Sequence, residues 1–177
     1  KMIESEESGI AFSVHPVTED RNQLIIEAGL GLGEAIVSGQ ITPDSYVVNK
    51  QDWNIIDINV NEQSKGLFGV EGGGNEWKEL GDEGKKQVLD EKEITELSKL
   101  VVKIEDHYNF PVDIEWAKDK GKFYIVQSRP ITTLSDIKLE EKSLVKKFKK
   151  EIRNDELLVI RGKFIPLFLL TDWLRFY

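Results

Sequence analysis

Apolar and polar positions alternate with a period of two along much of the chain up to Glu71, which predicts half-buried strands. Gly9 to Val14 (GIAFSV) reads as one strand, ended by the turn-forming run HPVTEDRN. Gln23 to Ala28 (QLIIEA) reads as a second that pairs with it as a hairpin. After the glycines at 29, 31 and 33, EAIVSG predicts a short helix ending at Gly39, and Pro43-Asp44 leads into the strand SYVVNK. NIIDINV and SKGLFGVE extend the antiparallel pattern, with Gly72, Gly73 and Gly74 as a flexible loop. From Asp90 the period changes. Ile94, Leu97, Leu100, Val101, Ile104 and Tyr108 recur at three- and four-residue steps, the buried stripe of a helix. Asp90 with Glu93 forms a capping box at its start, and Pro111 lies beyond its end. The pattern predicts an α+β domain with a mostly antiparallel sheet and packed helices.

The helix delivers the chain into Pro111–Pro130, PVDIEWAKDKGKFYIVQSRP, which reads as two strands joined at KDKG. On the first, Asp113, Glu115 and Ala117 share one face, and Ile114 and Trp116 the other. On the second, Phe123, Ile125, Gln127 and Arg129 share a face. Pairing brings the two carboxylates near the amide and the guanidinium. Carboxylate oxygens suit Mg2+, which is commonly shared with substrate phosphates, and Arg suits bidentate phosphate binding. On spacing alone, a solvated hairpin face with a salt bridge is the equal alternative.

Composition narrows the function classes. The 177 residues suffice for one substantial core. A net charge of −8 argues against a nucleic-acid surface. The absence of cysteine excludes disulfides and thiolate metal sites and is compatible with the cytoplasm. No apolar run reaches membrane-spanning length, and the start lacks a signal-peptide pattern. It opens instead on KMIESEESGIAFS, which reads as the middle of a domain. Residues 1–134 are expected to form the domain, and residues 135–177 a charged helical linker with the basic run LVKKFKK and an apolar tail, FIPLFLL. That tail offers either a packed strand or a partner-binding segment, including a homo-oligomer contact.

DIEW, the twelve-residue step from Glu115 to Gln127, and VQSRPIT resemble the nucleotide-binding domain of the phosphoenolpyruvate synthase and pyruvate phosphate dikinase family, a domain shared with rifamycin phosphotransferases. Gly31-Leu32-Gly33-Glu34, followed by Gly39, Pro43 and Asp44, is similar to a second family segment. Alone, these glycines either approach phosphates through the backbone or make a tight strand-to-helix connection. Lys1, Met2 and Ile3 match the end of a segment that lies at the adenine edge in the family; equally, Met2 is an apolar lining residue.

The resemblance covers Lys1 to Thr133 and implies the carboxy-terminal lobe of an ATP-grasp type domain. It implies Glu115 and Gln127 as ligands of Mg2+ and ATP phosphates, Asp113 as a further metal ligand, Arg129 as the catalytic phosphate-binding residue, and Glu34, Met2 and Ile3 as ATP contacts. Within the family an amino-terminal lobe adds a lysine and an arginine, and a histidine on a separate swivelling domain is phosphorylated. His15 and His107 lack that histidine's surroundings and read as surface or helix-end residues. Trp53, Trp77 and Trp116 read as packing residues. VIRG near Val159 resembles a linker strand, but KFIPLFLLTDWLRFY departs from the family, as in a split or disrupted reading frame or an ending unique to this chain. Three alternatives stay open: a non-catalytic fragment or assembly module, a rifamycin phosphotransferase-like lobe, or a pyruvate phosphate dikinase.

Overall fold

A computed structural model describes residues 3–70 and 72–134 and two short strands, Val159–Ile160 and Lys163–Phe164. The chain divides into two compact units, Lys1–Ile131 and Thr132–Tyr177. In the second, the two short strands pair antiparallel. The expected linker helix, the basic run and the apolar tail beyond Phe164 lie outside the described residues, as do Lys1 and Met2.

The first unit is built on a six-stranded antiparallel sheet. Its strands are β1 (Glu7–Phe12), β2 (Gln23–Leu30), β3 (Asp44–Asn49), β4 (Ile55–Asn59), β7 (Val112–Asp119) and β8 (Lys122–Pro130), in the order β4-β3-β2-β1-β7-β8. The predicted β1–β2 hairpin is present, and so is the short helix α1 (Glu34–Val37). One expectation fails. β5 (Lys65–Gly69) does not extend the sheet but pairs with β6 (Asn75–Glu79), a strand the alternation did not reveal. This hairpin meets β2's end through a parallel bridge between Gly31 and Leu67.

Helix α2 (Glu91–Tyr108) begins at the predicted capping box: Asp90 accepts from the Glu93 amide at 2.9 Å, and Glu93 accepts from the Asp90 amide at 3.0 Å. It ends at Asn109 in the left-handed region, φ 58°. Its buried stripe, Ile94, Leu97 and Val101, packs with alternate residues of the sheet: Ala11, Leu24, Ile26, Tyr46, Val48, Ile114 and Trp116. Lys118 fixes the helix to this face, with Nζ 2.5 Å from both Glu7 and Glu93. Burial pulls the Lys118 ammonium down, but its bonds to the two carboxylates outweigh that and hold it above its ordinary value. Burial raises Glu7 despite the lysine. A second staple is buried Asp44, which accepts from the Tyr46 hydroxyl and from the amides of Asn61 and Val88. Among the described residues, no helix is long and apolar enough to cross a membrane.

Trp116 is a core residue, as predicted. Trp77 is instead 39% exposed and lies under the Lys65 ammonium, and Trp53 lies near that of Lys99. His15 caps its own turn through Nδ1, which accepts from the amides of Val17 and Thr18, and His107 is in the last turn of α2.

Candidate functional site on the β7–β8 face

Lys120 and Gly121 both have positive φ, 50° and 72°, so β7 and β8 join through a two-residue turn of the kind that matches strand twist. That turn and one extra residue in β8 together set the register. Asp113 lies opposite Arg129 and Glu115 opposite Gln127, on the sheet face away from α2. The same register row crosses β1 and β2 through Ile10 and Glu27. Glu27 drew no attention in the sequence, and burial raises its carboxyl.

Between Glu115 and Trp116 the register shifts, because Val126 is an extra residue in β8. Trp116 therefore pairs with Ile125, and Lys118 with Phe123. This corrects the expected common face of Phe123, Ile125, Gln127 and Arg129: an inserted residue inverts the parity of everything beyond it. Phe123 is buried and meets Trp116 edge-on at 5.6 Å.

An open cleft of about 620 Å³ borders this face. Glu115 and Ala117 line it from β7, with Tyr124, Ile125 and Val126 from β8. Ile3, Leu32, Glu34 and Asn75 line it from other segments. Glu34 is exposed and accepts from the Asn75 side-chain amide at 3.3 Å. Of the expected site residues, the cleft thus gathers Ile3, Glu34 and Glu115, and Gln127 faces Glu115 across the strand pair. Asp113 and Arg129 form the next row, with Arg129 Nε donating to Asp113 Oδ2 at 2.7 Å. This bond, and then the Asp113 charge, raise the Arg129 guanidinium further above its ordinary value. Met2 lies outside the described residues. Among the described residues, no side-chain hydrogen bond or ion pair engages Glu115 or Gln127.

The glycine turn between β2 and α1 is built differently. The Leu30 amide donates to Gln63 Oε1, that of Gly31 to the Glu6 carbonyl and that of Leu32 to the Leu67 carbonyl. The Gly31 carbonyl accepts from the hydroxyls of Ser8 and Ser5, at 2.6 and 3.2 Å. The amides of residues 30–32 are committed to the lobe itself, so the tight-connection reading holds there and not the phosphate-cradling one.

The described residues contain no cluster of three or more His, Cys, Asp or Glu able to hold a metal. Glu115 and Gln127 nonetheless present a carboxylate and an amide oxygen directly opposite each other, both unengaged. That donor set fits Mg2+, which takes few protein ligands and keeps its waters or substrate oxygens.

A family model described as pyruvate phosphate dikinase, AMP/ATP-binding domain, matches residues 1–150. A probable phosphoenolpyruvate synthase of Methanocaldococcus jannaschii is 44% identical over 144 residues, covering 81% of this chain and 12% of that protein. The phosphoenolpyruvate synthase of Pyrococcus furiosus is 48% identical over 151 residues, 77% of this chain and 18% of that one. A rifampicin phosphotransferase of Bacillus subtilis is 42% identical over 138 residues, covering 77% and 16%. The chain thus spans less than a fifth of the length of these relatives.

Proposed function

The chain belongs to the pyruvate phosphate dikinase AMP/ATP-binding domain family, and from that premise we propose that this lobe binds ATP with Mg2+ for a phosphoenolpyruvate synthase-like phosphotransferase. The observation that carries the reading is the register of β7 and β8. It sets an unengaged carboxylate and amide opposite each other, with an anchored guanidinium in the next row.

In this reading Glu115 and Gln127 hold the metal and the phosphate oxygens, and Arg129 grips a phosphoryl group through its free N–H edge. Mg2+, when bound, neutralises charge on those oxygens. Ile3, Leu32 and Val126 give the cleft apolar wall for a base, and Glu34 offers an acceptor for hydroxyl groups. The residues' contribution is positioning and charge compensation, which is most of what phosphoryl transfer asks of a protein. The lobe is of ATP-grasp type. It works in the cytoplasm with an amino-terminal lobe and a swivelling domain whose histidine accepts the phosphoryl group.

One further reading has its own support. The similarity to a rifampicin phosphotransferase fits a lobe of the same construction serving an antibiotic acceptor.

Calorimetry with ATP, with and without Mg2+, tests the proposal on the chain and on Glu115→Gln. Binding that requires the metal and disappears in the variant is the expected result. Binding that is metal-independent, or equal in both proteins, overturns the assignment. An absence of binding in both favours the non-catalytic assembly-module alternative.

A further inference from the structure

Asp113 and Arg129 stand opposite each other on β7 and β8, but they are not equivalent partners. The Asp113 side chain is only 12% exposed, whereas that of Arg129 is 54% exposed. One end of the pair is fixed in the sheet and the other reaches into solvent. Asp113 Oδ2 takes the Arg129 Nε proton at 2.7 Å. Asp113 Oδ1 is buried, with no hydrogen-bond partner among the described residues. Neither oxygen is therefore open to a hydrated cation. One is occupied by the guanidinium and the other is sealed from water, and Mg2+ gives up its waters reluctantly. Glu115, two residues along, lines the cleft, and Asp113 does not.

We infer that Asp113 is a positioning residue, which clamps Arg129 by Nε so that the four remaining N–H groups of the guanidinium form a fixed fork for a phosphoryl group. The inference rests on the reading above that this face receives the phosphates. It replaces the role of metal ligand that the family resemblance implies for Asp113. The chemistry of arginine supports it. Five donors lie in one plane, so holding Nε fixes the direction of the outer pair. An unclamped arginine samples many rotamers and must be ordered each time an anion binds.

The test uses the full chain, with the Arg129 Nε–H signal followed by NMR and assigned through Arg129→Lys. In the unsubstituted protein this proton exchanges slowly with water. In Asp113→Leu, of similar volume, it exchanges freely, and affinity for pyrophosphate falls about tenfold. Asp113→Asn, which keeps an acceptor, restores part of both. Affinity for Mn2+ alone stays unchanged in both variants. If the Nε proton is equally protected in Asp113→Leu, or if Mn2+ affinity falls while pyrophosphate affinity holds, the inference is wrong. If Asp113→Leu does not fold, Asp113→Asn decides by the same two affinities. Failure of the unsubstituted protein to bind either MgATP or pyrophosphate would instead count against the nucleotide reading, with the Nε–H comparison still deciding the clamp.

Discussion

On one side of the cleft, the turn after β2 directs the amides of Leu30 to Leu32 inward. Leu30, Gly31 and Leu32 donate to Gln63, Glu6 and Leu67, and two serine hydroxyls close on the Gly31 carbonyl. On the other side, the β7–β8 face leaves Glu115 and Gln127 without side-chain hydrogen-bond or ion-pair partners among the described residues, and Arg129 is anchored by Asp113. Both stretches match family motifs, and both border the same cleft. Their polar groups do opposite things. A motif whose hydrogen-bonding groups are spent within the fold is there to shape the wall. A motif whose groups stay unspent on an open face is available to a ligand. The two should therefore respond differently to substitution, the first losing stability and the second losing binding.

Gly31→Ala separates them most sharply. Gly31 has φ +92°, and an added Cβ would fall 2.3 Å from the Leu67 carbonyl oxygen. Backbone cannot step aside, so strain and overlap together should cost about 3 kcal/mol. Gly39, with φ +69° but open space around it, should cost about 1 kcal/mol on the same substitution. Urea unfolding midpoints measure both. Equal costs at the two positions would mean that the turn is not built around Gly31's close approach.

How much of this was legible in advance follows from where the information lies. The strands β1 to β3 and helix α2 are written in local periodicity and in the Asp90–Glu93 box, and the strand ends fall within about two residues of the pattern's. The approach of the two carboxylates to Gln127 and Arg129 was also readable from the hairpin, whereas the two-residue turn alone would set Glu115 opposite Val126 and Asp113 opposite Ser128. The Val126 insertion was not readable. FYIVQSR alternates as a flat strand would, and the extra residue exists only relative to its partner. The β5–β6 hairpin was half seen, since NEWKE has no apolar alternation and all five residues are exposed. The fate of the glycine-turn amides was hidden for another reason. Their acceptors, on Glu6, Gln63 and Leu67, are remote in sequence, and no local rule connects them.

Lys118→Met probes the other face of β7, which the core side of the comparison owns. The substitution keeps the stem and removes a buried ammonium shared by Glu7 and Glu93. It should cost about 2 kcal/mol near neutral pH, somewhat below the usual range for breaking a buried pair because both carboxylates keep some access to water. The pH dependence follows from Glu7. Its folded value lies above the ordinary 4.5, so the native state holds that proton more tightly than the unfolded chain. The associated stability is present at low pH and is lost as pH rises through the raised value. Removing Lys118 removes the influences that pull Glu7 down, so the variant's deficit should shrink as pH is lowered through the carboxylate range. A deficit constant from pH 3 to 7 would contradict the shared ion pair (about that span covers the carboxylate titrations). A smaller effect, about 1 kcal/mol, is expected for Asp90→Ala, which deletes the α2 cap without touching the cleft.

Glu115→Gln is the smallest of these in stability and the sharpest in meaning. Glu115 has no hydrogen-bond or ion-pair partner among the described residues, and its neighbours Asp113 and Arg129 bond to each other. Replacing its carboxylate by an amide of equal size leaves the packing of β7 intact, so the unfolding midpoint should move by no more than about 0.5 kcal/mol's worth. Removing its negative charge also slightly weakens the attraction felt by Arg129, which acts in the same small range. If the stability loss instead matches that of Lys118→Met, Glu115 has a structural duty and the division between a spent wall and an unspent one collapses. A protein that unfolds as before but no longer binds MgATP would place the role of Glu115's half-buried charge in ligand recognition alone.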